Sequence, residues 1–488
     1  MGLKKAGILL PIASLPGKFG IGDFGIEGYQ LIDSLKEGNM KLWQILPLNP
    51  LGYGNSPYQG YSSFALDEIY IDLMQLKEEG LLDDLPPYEE KSNFIEYEKI
   101  RTLKLKYLRI AYSNDKDNSK KEVEKFKDEN PYIYSWAIYK SFKRKFKTSW
   151  NLFPGGKSDY SKASQNLSNP EKEEINFELW IQLQLFKQWQ RLHEYATSKG
   201  IKIIGDLPFY VGFDSSDVYA KNSYFLLDSN SKQPCFVAGV PPDYFSPTGQ
   251  RWGNPIYDFN ALEKDDFSFL IDRIAYAHKL YDIVRIDHFR AFSTYWKIKA
   301  SCLTAIDGEW VEAPGYKIFD RLFASFPHIE IIAEDLGELT EEVRILKDHY
   351  NLPGMNVIQF TIYDDLFAKK EGFDKENVVI YLGTHDNETT SSFLKSMKLE
   401  DKEYLDNVFS SLNIEGESLL ERLIKFALRK KGKYVIFTFM DLLNLSNQAR
   451  INTPGIVSKS NWTYKLKDFN ALFKAINEYK EEIIKDGR

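Results

Sequence analysis

The stretch Ile283-Val284-Arg285-Ile286-Asp287-His288 joins a short, mostly apolar run to polar residues at its C-terminal end. A run of this length and character is typical of a strand that is buried on both faces of a parallel sheet. Seven further short runs have a similar length and a mostly apolar character: Gly7–Leu10, Leu42–Leu46, Lys202–Ile204, Ile329–Ala333, Asn356–Phe360, Val378–Leu382 and Val435–Phe439. Together the eight runs predict eight short, buried strands.

Helical patterns lie between several of these runs. Apolar residues recur at spacings of three and four in three clear cases: Ile26–Lys36, Trp180–Tyr195 and Ser418–Lys431. Eight strands that alternate with helices predict a (β/α)8 TIM barrel, an α/β fold, which we place over the whole chain, 1–488. Two parts are longer than a barrel needs. We predict a largely helical insertion at 79–199, between strands two and three, and an aromatic-rich loop insertion at 206–260 over the mouth.

Composition excludes several classes of protein. The 488 residues are 43% hydrophobic and carry a net charge of −7, without a basic region that would favour a nucleic-acid partner. No apolar run approaches the length that crosses a membrane. The two cysteines, Cys235 and Cys302, are far apart and fit no zinc motif, which predicts free thiols in a reducing cytoplasm.

Acidic residues follow four of the predicted strands: Asp206, Asp287, Glu334 and Asp386. Because the C-terminal ends of barrel strands converge on one mouth, these acids should lie close together. Each alone could cap a helix or pair with a basic residue. As a set they fit either a hard-cation site or glycosyl transfer, which uses a nucleophilic carboxylate and a protonated carboxylic acid.

Arg285 favours glycosyl transfer over a metal site. Residues two apart on a strand share a face, so Arg285 and Asp287 should both point into the barrel, where the cation would keep Asp287 ionised. Glu334 follows an apolar strand, and burial there would raise its pKa for general-acid catalysis. Asp386 is left to stabilise a positively charged transition state.

Further polar and aromatic residues suit a sugar substrate. His288 and His385 follow predicted strands and could hydrogen-bond sugar hydroxyls. The polar-aromatic loops Gly52–Gln59 and Pro241–Pro255 should lie over the mouth, where the flat C–H faces of sugar rings can pack on aromatic rings.

The order and number of these motifs resemble the 4-alpha-glucanotransferase family, also called amylomaltase or disproportionating enzyme. The resemblance covers nearly the whole chain. It is carried by Ser14–Gly17 with Gly20–Asp23, Gly52–Gln59, Gly205–Pro208, Pro241–Pro255, Val284–Phe289, Ala333–Gly337, Gly383–Glu388, and Asn452–Gly455 with Asn461-Trp462.

The resemblance implies a barrel enzyme that acts with retention of anomeric configuration and needs no cofactor or metal. It assigns the nucleophile to Asp287, the acid/base to Glu334 and the transition-state stabiliser to Asp386. The positions that match substrate-binding residues are Tyr58, Asp243, Trp252, Arg285 and His385. The implied donors are α-1,4-glucans, such as maltooligosaccharides and segments of starch or glycogen. The implied acceptors are glucose or another glucan.

Three other functions are compatible with parts of this pattern. Gly20-Ile21-Gly22-Asp23-Phe24-Gly25 is a literal GxGxxG, which a dinucleotide-dependent oxidoreductase would use, but no acid ends strand two where the ribose would bind. An α-amylase-type hydrolase would use the same three carboxylates on water. A non-catalytic glucan-binding protein would not need an acid opposite a nucleophile.

Overall fold

The computed structural model describes residues 4–88, 92–242, 246–337, 339–362 and 376–488. Within these ranges twelve strands are present: β1 Lys5–Leu9, β2 Leu42–Gln44, β3 Lys202–Leu207, β4 Phe236–Val240, β5 Gln250–Pro255, β6 Ile283–Ile286, β7 Thr294–Lys299, β8 Gly308–Glu312, β9 Glu330–Ala333, β10 Gly354–Val357, β11 Val378–Tyr381 and β12 Tyr434–Thr438.

Eight of these strands form one parallel sheet, in the order β10-β11-β12-β1-β2-β3-β6-β9. The two outer strands meet at a seam, where the amide of Ala333 donates to the carbonyl of Pro353 at 2.9 Å. Every residue of β6, β11 and β12 is buried, because helices cover the outside and side chains fill the inside. The predicted (β/α)8 barrel is therefore confirmed.

The helices of the described residues are α1 Ile26–Glu37, α2 Leu73–Glu78, α3 Tyr97–Glu129, α4 Pro131–Phe146, α5 Tyr160–Gln165, α6 Asn169–Ser198, α7 Ser216–Ala220, α8 Phe259–Lys264, α9 Ser268–Leu280, α10 Gly315–Ser325, α11 Glu341–His349, α12 Ile358–Ile362, α13 Thr390–Ser396, α14 Leu399–Ser411, α15 Leu419–Arg429, α16 Phe439–Leu442, α17 Asn470–Glu478 and α18 Lys480–Lys485. Local chemistry sets their ends: the Ser418 hydroxyl, for example, caps α15 by accepting from the amide of Glu421 at 3.1 Å. None of these helices is long and apolar enough to span a bilayer.

The sixth predicted strand is misplaced. The sequence pattern put it at Asn356–Phe360, whereas β10 ends at Val357 and α12 begins at Ile358. A short apolar run does not by itself distinguish a strand from a buried helical turn, and here the chain changes from one to the other inside the run.

The predicted loop at 206–260 contains regular structure. It holds α7 as well as β4 and β5, which join β7 and β8 in a second, antiparallel sheet in the order β5-β4-β7-β8. Local patterning does not predict this sheet, because β4 pairs with β5 on one side but on the other with β7, which follows β6 well downstream in the sequence. This sheet carries Trp252 on β5.

Between β2 and β3 the chain forms α2 to α6. We propose that α3 to α6 belong to an insertion at 79–199 in a single barrel that spans 1–488. A buried ion pair fixes the first of the long helices to the barrel. The ammonium of Lys104 on α3 contacts Asp23 Oδ2 at 2.9 Å and the carbonyls of Ile69 and Ile71 at 2.6 and 2.7 Å.

The same contact explains the glycine-rich loop. Asp23 lies inside the GxGxxG stretch and also accepts from the amide of Gly25 at 3.1 Å. A dinucleotide would need backbone amides of this loop to be directed at its pyrophosphate. That place is instead occupied by the buried carboxylate of Asp23, whose charge is neutralised by Lys104. The loop is thus a structural βα connection.

Candidate active site

The four acids predicted at strand ends lie at the C-terminal ends of the barrel strands. Asp206 lies within β3, Asp287 follows β6, Glu334 follows β9, and Asp386 lies beyond β11. In the sheet, β6 pairs with β3 on one side and with β9 on the other. Strand register places Asp206 directly beside Arg285, which is why these groups meet despite their separation in sequence.

Arg285 lies at the centre of the acids. Its Nη1 contacts both carboxylate oxygens of Asp206, at 2.7 and 2.6 Å, and Oδ1 of Asp287 at 3.1 Å. The side chains of Arg285 and Asp206 are 4% and 0% exposed, whereas that of Asp287 is 29% exposed. Asp206 is therefore the buried counter-ion, and Asp287 is the carboxylate that a ligand can reach.

The pKa of Asp287 differs from the sequence-based expectation. Burial raises it well above its usual range; Arg285 opposes the rise, and the charges of Asp206, Glu334 and Asp386 add to it. We attribute the difference first to this burial and then to the charge of Asp206, which pairs with the same arginine.

Glu334 shows the upward pKa shift that its position predicts. Burial raises the pKa of this carboxyl, although Arg285 and two hydrogen bonds to backbone amides oppose the shift. Those amides belong to His288, at 2.7 Å, and Leu336, at 3.0 Å. Asp287 and Glu334 follow neighbouring strands, and the charge of Glu334 adds to the rise in the pKa of Asp287, because like charges close together disfavour each other.

Tyr58 connects this cluster to His385. Its hydroxyl lies 2.8 Å from Asp206 Oδ2 and 2.9 Å from His385 Nε2. Because the ion-paired Asp206 can only accept, the Tyr58 proton goes to Asp206 and Nε2 carries the imidazole hydrogen. The Tyr58 and His385 rings stack at 5.3 Å with an interplanar angle of 9°. Burial lowers the pKa of His385, so the ring is neutral.

Asp386 is positioned by residues beyond β12. Its Oδ1 accepts from the side-chain amide of Asn452 at 2.6 Å, and its carbonyl accepts from Arg450 at 2.7 Å. Oδ2 lies 3.4 Å from His385 Nε2. The carboxylate keeps 42% of its side-chain surface exposed, so it can face a bound ligand.

His288 and Trp252 lie together on the other side of Asp287. Their rings meet edge to face at 4.9 Å, and burial lowers the pKa of His288 to about 4. Its Nε2 is buried and has no hydrogen-bond partner among the described residues. His288 also has a φ of 52°, a strained backbone for a non-glycine residue that is typical of functional sites.

The structure thus brings most of the predicted site residues together, with exceptions. Asp243 lies outside the described residues. The sequence predicts Asp206 only as a strand-end acid without a role, and Asn452 and Trp462 only as motif residues. For Asn452 and Trp462, the only indication in the sequence is a stretch that combines polar residues with proline and aromatic residues. Within the part of the chain that the structure describes, no three His, Cys, Asp or Glu side chains converge as metal ligands.

This arrangement suits a two-step displacement. It places a partly exposed carboxylate beside a cation, a partly buried carboxyl after the neighbouring strand, and a third carboxylate after another strand. Aromatic rings flank the three acids. A retaining glycosyl transfer needs the first two groups about 5–5.5 Å apart, which stays a prediction here.

Comparisons with known proteins give a consistent result. The sequence profile of glycoside hydrolase family 77, described as 4-alpha-glucanotransferase, matches residues 10–471. A 4-alpha-glucanotransferase of Clostridium butyricum is 41% identical over 468 residues, which cover 94% of this chain and 95% of that protein. One from Thermus thermophilus is 38% identical and covers 94% of each chain.

Solved structures agree. The amylomaltase of Streptococcus agalactiae, in complex with acarbose, superposes with a TM-score of 0.93 at 32% identity and covers 99% of both chains. The amylomaltase of Corynebacterium glutamicum, at 18% identity, has the same fold with a TM-score of 0.76, over 99% of this chain and 75% of that one.

Proposed function

The chain belongs to the 4-alpha-glucanotransferase family, and we propose that it cuts an α-1,4-glucan and transfers the released segment through a covalent intermediate on Asp287. One observation carries the residue assignment. Asp287 is the ligand-accessible carboxylate in contact with Arg285, and the partly buried Glu334 follows the adjacent strand β9. Glu334 is the acid/base, and Asp386 stabilises the transition state.

In the first step, a carboxylate oxygen of Asp287 attacks the anomeric carbon as the glycosidic bond breaks. Glu334 gives its proton to the leaving glucan oxygen. A bound glucan favours a proton on Glu334 over a proton on Asp287. The glycosidic oxygen provides a hydrogen-bond acceptor beside Glu334, while Arg285 stabilises the negative charge on Asp287. The developing positive charge on the sugar ring is stabilised by Asp386.

In the second step, a hydroxyl of the acceptor attacks the same carbon from the face that the leaving group occupied. Its proton passes to Glu334, and the bond between the sugar and Asp287 breaks. Two inversions give net retention, and the enzyme returns to its starting state. Tyr58, Trp252, Arg285, His288 and His385 are proposed to bind the sugar, and Asp243 joins them by its position in the sequence.

The donors proposed are maltooligosaccharides and segments of starch or glycogen, and the acceptors are glucose or another α-1,4-glucan. The acarbose complex of the Streptococcus agalactiae amylomaltase supports this substrate class. A cytoplasmic location is proposed as well, since Cys235 and Cys302 are both free thiols.

Incubation with maltotriose tests transfer against its alternative, α-amylase-type hydrolysis by the same carboxylates. We expect glucose together with a ladder of maltooligosaccharides longer than the substrate, because the aromatic residues around the mouth can hold an acceptor sugar. Chromatography of all products measures this. A mixture of only glucose and maltose would show that water, not sugar, is the acceptor.

The replacement Asp206→Asn should shift the acidic limb of the pH profile. Asp206 raises the pKa of Asp287 by its charge and also engages Arg285. Without that charge, the pKa of Asp287 falls, and Asp287 remains ionised to lower pH. The acidic limb of kcat/KM for maltotriose should therefore move to lower pH, even though the overall rate drops through loss of the buried pair. A limb that stays in place, or moves to higher pH, would contradict this electrostatic role.

A further inference from the structure

Trp462 lies beside the proposed sugar-binding residues without an assigned role. Its ring is 5.7 Å from that of Tyr58 and 6.1 Å from that of His385, and the side chain is half-buried. The stacked Tyr58 and His385 rings therefore both pack against a single indole. Movement of that indole would release the two rings together.

The backbone of Trp462 is in the left-handed region, with a φ of 66°. A bulky residue adopts this conformation only where its surroundings enforce it. Two short hydrogen bonds do so here. The amide of Trp462 donates to the carbonyl of Ile451 at 2.6 Å, and the hydroxyl of Tyr97 donates to the carbonyl of Trp462 at 2.6 Å.

Tyr97 belongs to α3, in the helical segment between β2 and β3. It is 4% exposed and starts a helix that the buried Lys104 ties to the barrel. The residues just before it run antiparallel to those that follow Trp462. The amide of Ile95 donates to Thr463 at 2.8 Å, and that of Lys465 donates to Asn93 at 2.8 Å. The helical segment is thus joined to the chain that carries Trp462.

We infer that Trp462 is a positioning residue for the Tyr58 and His385 pair, and that Tyr97 of the helical segment fixes it in place. The inference rests on the proposed function, because those two rings are assigned to sugar binding there. It gives α3 a part in the reaction, because Tyr97 at its start fixes the indole against which the two rings of the sugar site pack.

Kinetic analysis of five variants tests this assignment, using initial rates of transfer over a range of maltotriose concentrations. Trp462→Ala should lower kcat/KM by about tenfold or more, mainly through a higher KM, because the rings that receive the sugar lose their support. Trp462→Phe should recover activity to within about threefold of the native enzyme, since a ring is restored. Tyr97→Phe, which removes one remote hydrogen bond, should cost about fivefold.

The decisive variant is the double replacement of Tyr97 by Phe and Trp462 by Ala. If Tyr97 acts through the indole, the double variant should be no worse than Trp462→Ala alone. Tyr132→Phe is the matched control, because it removes a comparable hydroxyl contact, 2.7 Å to Asp272, from α4 of the same helical segment. It should leave the kinetics unchanged, and thermal unfolding of every variant separates loss of fold from loss of positioning.

The inference is overturned if Trp462→Ala keeps native kinetics, or if the Tyr97 and Trp462 effects multiply in the double variant. Failure of the proposed function gives a different result, in which the native enzyme itself makes no ladder from maltotriose. In that case direct titration with maltoheptaose replaces the rates. Weaker binding by Trp462→Ala and Tyr97→Phe, but not by Tyr132→Phe, then supports the positioning role, and equal binding overturns it.

Discussion

Replacement of Asp287 by alanine should abolish transfer from every glucan donor, with a loss on the order of 10⁴-fold or more. Without this carboxylate no covalent glycosyl intermediate can form, and among the described residues no other carboxylate of the site combines contact with Arg285 and access to a ligand. Stability should not fall, because burial and three neighbouring acids disfavour the charge of Asp287 in the folded state. Rates with maltotriose and a thermal unfolding curve measure the two effects.

An acid just before β6 provides the control for Asp287→Ala. Asp282 lies at the opposite end of β6, where it accepts from the amide of Ile203 at 2.7 Å and contacts His193 at 3.0 Å. Asp282→Ala should lower the unfolding temperature and leave the chemical step in the folded protein intact. Residual transfer by Asp287→Ala above a few per cent of the native rate would remove Asp287 from the nucleophile role.

Replacement of Glu334 by glutamine should lower transfer from natural glucans by about 10²–10⁴-fold, since the leaving sugar then departs without a proton. The same variant should still react with α-glucosyl fluoride, because fluoride leaves without protonation. The acceptor step also needs Glu334 as a base, so the intermediate should accumulate. Mass spectrometry of the intact protein and of its peptides should then locate one glucosyl group on Asp287.

The outcome separates the three carboxylates. A glucosyl group on Asp386 or on another residue would falsify the assignment of Asp287. Asp335→Asn is the matched control for Glu334, because Asp335 is the adjacent acid but bonds the amide of Met355 at 2.7 Å and Lys347 at 2.8 Å. We expect that variant to use natural glucans and to show no trapped sugar.

Much of the barrel can be predicted from the sequence because its strands are buried on both faces. The run Ile283–Ile286 is predicted to the residue, and the pattern at Val435–Phe439 is off by only one position from β12. Prediction errors occur where a short apolar run fits both a strand and a helix, or where a strand pairs with another strand that is distant in the sequence. The run at Asn356 changes from strand to helix, and β4 has its partner β7 beyond β6.

The sequence alone determined which chemical groups end the strands: carboxylates at 287, 334 and 386, with an arginine two residues before the first. This depends on spacing along one strand and on the common direction of parallel strands, which are local properties. The family resemblance, on the same residues, indicated the reaction, and the comparisons confirm it.

Tertiary structure decided the electrostatics and the supports. Sequence spacing indicates that Arg285 lies near Asp287, but only strand register shows that Asp206 lies closer to the arginine and contacts it with both carboxylate oxygens. Likewise, only the fold brings Asn452 to Asp386, across 66 residues, and Tyr97 to Trp462, across 365 residues. A pKa or a ring position depends on every group packed around it, and those groups come from strands and loops whose contacts no local pattern encodes.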